Sequence, residues 1–87
     1  MIKNGYEFNS YEEFIDFCNR GGELEFIYNG STYWTTMPRD RIRLIYEVNN
    51  QESDKEYNSP EEMLEYEIEG KKLKDILFDI EVLDRSF

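Results

Sequence analysis

The chain has 87 residues, twenty acidic against ten basic with no histidine, for a formal net charge of -10. That length fits a single domain spanning 1–87 and excludes two separate cores, while 39% hydrophobic and 16% aromatic residues are too many for a disordered acidic tail. The acid excess argues against direct contact with nucleic acid or an anionic membrane, and for a positively charged partner.

The first predicted element is a helix opening at Ser10. Its hydroxyl can cap a backbone N–H while Glu13 reaches back to the start, and Tyr11, Phe14, Ile15 and Cys18 form an apolar stripe at i, i+3, i+4 and i+7 that Phe17 widens. Gly21-Gly22 ends it. Glu23 to Tyr28 and Ser31 to Met37 flank Asn29-Gly30, the dipeptide best suited to a two-residue type I′ hairpin turn. With Tyr28 opposite Ser31, Leu24, Phe26, Tyr28, Tyr33 and Thr35 share the core face, and Glu23, Glu25, Ile27, Thr32, Trp34 and Thr36 the other. A third strand is expected from Arg41 to Asn49, its alternation placing Ile42, Leu44, Tyr46 and Val48 inward and Arg41, Arg43, Ile45 and Glu47 outward.

Asn49 to Asn58 reads as a polar loop whose Glu56-Tyr57 end can extend as a short edge strand. Ser59-Pro60-Glu61-Glu62 repeats the helix-start pattern, with Met63 and Leu64 inward and Ile68 plugging the core before Gly70. Lys71 to about Asp79 is expected as a last helix, and Ile80 to Leu83 as either a short strand or the frayed end of that helix. Residues 8–17 and 57–66 match in type at nearly every position, which we read as two helix starts with the same capping chemistry. The expected fold is α+β: a three-stranded antiparallel β-meander with an N-terminal helix and two short C-terminal helices packed on one face.

Charge is unevenly spread. Residues 47–69 hold nine acids and one base, whereas 1–46 hold seven acids and five bases and 70–87 hold four of each. Glu47, Glu52, Asp54, Glu56, Glu61, Glu62, Glu65, Glu67 and Glu69 are therefore candidate interface residues, a surface built to meet cations or simply a solvated face. Trp34 is the second candidate: the C-terminal helix is expected to cover it, and where it does not, a tryptophan beside Ile27 is an interface anchor. Glu–Arg pairs across the outer face, among Glu23, Glu25, Arg41 and Arg43, are expected to stabilise that face modestly.

Chemistry for catalysis is missing. Without histidine the commonest general base, the serine and cysteine triads and most zinc sites are excluded, and Cys18 on an apolar helix stripe reads as an inert buried thiol. No phosphate-binding glycine loop or calcium-loop spacing is present, so no cofactor or metal is expected and the protein is read as a non-enzyme. No apolar run approaches the roughly 20 residues of a membrane span, and the start Met1-Ile2-Lys3-Asn4-Gly5 lacks a secretory core. A cytoplasmic location is expected.

The hairpin Glu23 to Met37, the Tyr46-Glu-Val-Asn-Asn segment, the Asn58-Ser-Pro-Glu-Glu-Met-Leu start and the Ile68-Glu-Gly-Lys-Lys-Leu-Lys-Asp-Ile76 segment together resemble small acidic proteins of low-GC Gram-positive bacteria and their phages. In size, acidity and lack of catalytic groups the chain is also similar to phage-encoded anti-CRISPR proteins, several of which act as acidic DNA mimics on a Cas effector. The resemblance implies a phage- or mobile-element-encoded inhibitor in the host cell, occluding the basic surface of a Cas effector or another nucleic-acid-handling protein. Acidic immunity proteins and antitoxins share these features, and the aromatic content also fits a pocket that sequesters a nucleotide signal.

Overall fold

The computed structural model describes residues 6–86; the start Met1 to Gly5, on which the reading of a missing secretory core rests, lies outside them. In chain order the elements are α1 (Tyr11–Asn19), β1 (Glu23–Tyr28), β2 (Ser31–Arg39), β3 (Ile42–Glu47), β4 (Asn50–Tyr57), α2 (Pro60–Met63), β5 (Glu67–Ile68), β6 (Lys71–Lys72), α3 (Leu73–Ile76) and β7 (Glu81–Ser86). The fold is α+β, but the sheet has five antiparallel strands where three were expected, in the order β4-β3-β2-β1-β7.

Local chemistry places α1 as its sequence predicts. The Ser10 hydroxyl accepts from the Glu13 N–H at 3.1 Å, and the Glu13 carboxylate accepts from the Asn9 N–H at 2.8 Å. α2 uses the same pair of bonds, Glu62 N–H to Ser59 and Asn58 N–H to Glu62. Past α1, Gly21 takes φ +83, and Gly22 allows a close approach: a Cβ there would lie 2.6 Å from the Phe17 ring.

The first hairpin has the expected register, Tyr28 opposite Ser31 and Leu24 opposite Thr35, with Asn29 and Gly30 at φ 50 and 82 as a type I′ turn requires. Glu69-Gly70 repeats that turn, at φ 52 and 82, to close the small β5–β6 hairpin. This takes Lys71 and Lys72 out of the expected last helix, which shortens to α3.

β3 corrects the sequence reading most sharply. Thr35 faces Ile45 and Tyr33 faces Glu47, so Arg43 and Ile45 lie on the core side, while Ile42, Leu44 and Tyr46 alternate onto the other face. The register breaks between Thr36 and Arg39, around Pro38, which has no N–H to give a ladder. The edge strand expected at Glu56-Tyr57 forms and extends back through most of the expected loop as β4: Lys55 pairs with Ile45, Glu56 with Leu44 and Tyr57 with Arg43, and the Ser53 hydroxyl accepts from the Glu47 N–H at 2.7 Å. Its polar sequence suits a strand with one open edge. The tail resolves as a strand, β7, pairing antiparallel with β1.

The core gathers Phe14, Phe17 and Cys18 of α1, Met63 of α2, Leu73 and Ile76 of α3, and the sheet residues Leu24, Phe26, Tyr33, Ile45 and Val82. Phe8 meets Phe14 and Phe17 edge-on at 5.2 and 5.5 Å, and the Arg85 guanidinium lies 4.1 Å over the Phe8 ring while donating to Glu13 at 3.0 Å. Ile68 is buried as expected.

Two predictions follow from this packing. Gly22→Ala forces its new methyl into the Phe17 ring and should destabilise the protein by about 1–3 kcal/mol, a loss that urea unfolding should show partly recovered when Phe17→Leu is added. Glu13 has its carboxyl held below the ordinary 4.5 by the Asn9 N–H and by Arg85, so the stability it contributes is present above that value and lost as pH falls through its lower folded value. The acid decline of wild-type stability should therefore be steeper than that of Glu13→Gln.

Candidate protein interface

The sheet has one face in the core and one outside it. On the outer face, cross-strand pairing sets Asp84, Glu25, Trp34 and Tyr46 in one row and Glu81, Ile27 and Thr32 in the next. Thr36, Leu44 and Glu56 form a third row, joined to Glu23 by a 2.9 Å hydrogen bond from the Thr36 hydroxyl. Ile27, Trp34, Leu44 and Tyr46 are half-buried by one another's strands, and none belongs to the hydrophobic core or packs against it. The expectation that the C-terminal helix covers Trp34 is thus overturned, since the buried α3 side chains Leu73 and Ile76 belong to the core.

The expected Glu–Arg pairs on this face are absent among the described residues. Arg43 is turned inward and 1% exposed, and Arg41 sits in the β2–β3 turn at φ 66. Of the acids, Glu56 pairs with Arg39 at 2.7 Å, while Glu23, Glu25, Glu81 and Asp84 have no cation within ion-pair reach among the described residues. The face therefore has an aromatic and aliphatic centre within a negative rim. Sequence reading placed Glu23, Glu25, Ile27 and Trp34 there but missed Leu44, Tyr46, Glu81 and Asp84. For the last two the missing signal was the pairing of β7 with β1.

The nine acids of 47–69 divide. Glu52, Asp54 and Glu56 are exposed along β4, the edge strand beside the open face. Glu61 and Glu62 lie on α2, Glu67 on β5 and Glu69 in the second turn, where its carboxylate accepts from Asn29 at 3.2 Å. Glu65 is neutralised between Lys72 at 2.6 Å and Lys74 at 3.0 Å. Glu47, half-buried, faces Tyr33 across the sheet. The structure gathers Glu65 and Glu67 near Tyr57, and Glu47 and Asp54 near Tyr66; burial chiefly raises both hydroxyl pKa values, the carboxylates add to it, and at Tyr66 the bond to Ser53 O opposes it.

Cys18 is fully buried and its thiol is pushed up to about 11 by loss of solvent, and among the described residues no group of three acidic or cysteine side chains could hold a metal ion. No helix among the described residues is long and apolar enough to cross a membrane. A cavity of about 440 Å³ near the end of α1 has no aromatic side chain in its lining. Comparison with protein-family models, curated proteins and solved structures finds no significant match.

Because Trp34 is the sole tryptophan, its fluorescence reports on the open face alone. Neutral acrylamide should quench it, caesium should quench it better than iodide relative to free tryptophan, and added salt should close that gap as the rim is screened. Inaccessibility to acrylamide would refute an open face.

Proposed function

We propose that this protein is a non-enzymatic inhibitor, encoded by a phage or mobile element, that docks its open sheet face on a basic nucleic-acid-binding surface and occludes it. The observation that carries the reading is the combination on one face of Trp34, Tyr46, Leu44 and Ile27 with a rim of Glu23, Glu25, Glu81 and Asp84 that has no cation partner among the described residues. Aromatic centres inside a polar rim are where interface energy concentrates, and a rim of one sign selects partners of the other and accelerates their encounter. Glu52 and Asp54 on β4, where Glu56 is paired to Arg39, extend the negative field past the sheet edge, so the protein mimics the charge of a nucleic acid on the partner's site. Cas effectors are the first partner class to test. The protein works in the cytoplasm of the host under this reading.

The test is displacement of labelled nucleic acid from purified Cas effectors and other basic nucleic-acid-handling proteins. Wild-type protein should displace the probe from its target, and more weakly as salt shortens the Debye length from about 10 Å at 0.1 M to about 3 Å at 1 M. Trp34→Ala should weaken inhibition by at least about 2 kcal/mol, as expected of a central anchor. Paired reversal Glu25→Lys with Asp84→Lys should do so comparably, and reversal of Glu52, Asp54 and Glu56 chiefly through slower association. Reversing Glu12, Asp75 and Asp79 changes net charge as much as that triple reversal does and should leave inhibition nearly intact. Equal loss from every reversal would reduce the acids to general solubility.

A further inference from the structure

Arg43 is a buried cation without a counter-ion. Its side chain is 1% exposed, it makes no ion pair among the described residues, and its hydrogen bonds go only to neutral acceptors: Gly22 O at 2.8 Å, Thr35 Oγ1 at 3.2 Å and Cys18 O at 3.4 Å. Its Nε is buried with no hydrogen-bond partner at all. A guanidinium has five N–H donors and keeps its charge inside proteins, so the Nε–H lacks an acceptor and the charge has no ion-pair partner within reach among the described residues.

That side chain lines the cavity of about 440 Å³, a volume within the range of small-molecule sites. Arg41 lines it too, also without an ion pair among the described residues, and Asn19, Asn58 and Ser59 add amide and hydroxyl groups. Asp40 is the sole acid in the lining, which leaves a net positive pocket in a chain of net charge -10. Two guanidiniums with neutral donors around them match the lone pairs of a phosphate or carboxylate group.

We propose that this cavity binds a small molecule through an oxyanion group, phosphate or carboxylate, whose charge is met by Arg43 and Arg41 and whose oxygens are further held by Asn19 and Asn58. This site is independent of the open sheet face, with which it shares none of these residues, so it stands whether or not that face docks a basic protein.

The test uses the full chain, titrated with inorganic phosphate and separately with citrate against sodium chloride at matched ionic strength. Nitrogen-15 NMR should show a saturable shift of the Arg43 Nε–H resonance together with the amides of Asn58 and Ser59, and the melting temperature should rise with anion concentration. Saturation by phosphate alone assigns the phosphate group, saturation by citrate alone the carboxylate, and either supports the site. Because Arg43 also ties down the end of α1, variants at that position can fail to fold, and the exposed turn supplies the decisive pair. Arg41→Gln should weaken binding at least about tenfold, the equivalent of one charge-assisted hydrogen bond, and Asp40→Asn should strengthen it. The proposal is overturned if neither anion gives a saturable shift at Arg43, or if Arg41→Gln and wild type respond equally, which marks diffuse ion association.

Discussion

The inward turn of Arg43 is the constraint on which the rest of this structure depends. The last carbonyls of α1 are met by the backbone that follows, Gly22 N–H donating to Phe17 O and Gly21 N–H to Cys18 O, and α1 has no basic residue in its last turn to add to them. Arg43 reaches from β3 to Cys18 O and, just past the helix, to Gly22 O, and also holds the Thr35 hydroxyl on β2. One side chain thereby joins the end of α1 to two central strands, and does so only if β3 presents odd-numbered residues to the core. Ile45 follows Arg43 inward, and Ile42, Leu44 and Tyr46 are turned out. The open face is apolar at its centre because the core has accepted an arginine on the other side of the same strand.

This is also where sequence reading fails, for a physical reason. Side chains in a strand repeat with a period of two, so a shift of one residue exchanges the whole set between faces. In Ile42 to Glu47 both sets contain apolar residues, and the ordinary preference for burying Leu44 and Tyr46 over Arg43 points the wrong way. The deciding information lies in the hydrogen bonds Arg43 makes to a helix distant in sequence and in the irregular pairing around Pro38, neither of which hydropathy records. Only the Glu56-Tyr57 end of β4 is legible because an edge strand with a solvated side needs no apolar alternation, and β7 stays open between strand and helix end because its buried apolar positions, Ile80 just before it and Val82 within it, fit either. What the sequence does reveal is what short-range chemistry decides: the Asn29-Gly30 turn and its register, the capping pairs at Ser10 and Ser59, and the helix stop at Gly21. Of the candidate interface, Trp34 and its β1 neighbours were legible from that register, while the rim contributed by β7 was not.

Charge segregation has the same origin. Of the bases, Arg43 and Arg85 are drawn toward the core, Arg85 to stack on Phe8 and bond Glu13, and Lys72 and Lys74 are spent on Glu65. The segment count located the acid excess in 47–69, but pairing in three dimensions neutralises part of that segment and leaves a second acidic region, from β1 and β7, that the count had balanced against bases elsewhere. The acids of β4 carry a further consequence. They line an exposed strand edge, where unpaired backbone groups would otherwise recruit another chain, and charge there opposes such pairing.

The same reasoning bears on how a small domain can leave a sheet face uncovered. A half-buried apolar face with Trp34, Tyr46, Leu44 and Ile27 at its centre would invite self-association, since a second copy offers an equally apolar surface. Docking two copies face to face, however, sets Glu23, Glu25, Glu81 and Asp84 of one against the same like-charged rim of the other, in an environment that loses screening water as it closes. A basic surface meets the same rim with the opposite sign and gains what a second copy loses. Under the proposed docking on a basic surface, the rim makes a face that would be a general liability one that discriminates by charge, and the two arginines withdrawn behind the sheet and beside α1 leave that rim without a cation partner among the described residues of the chain itself.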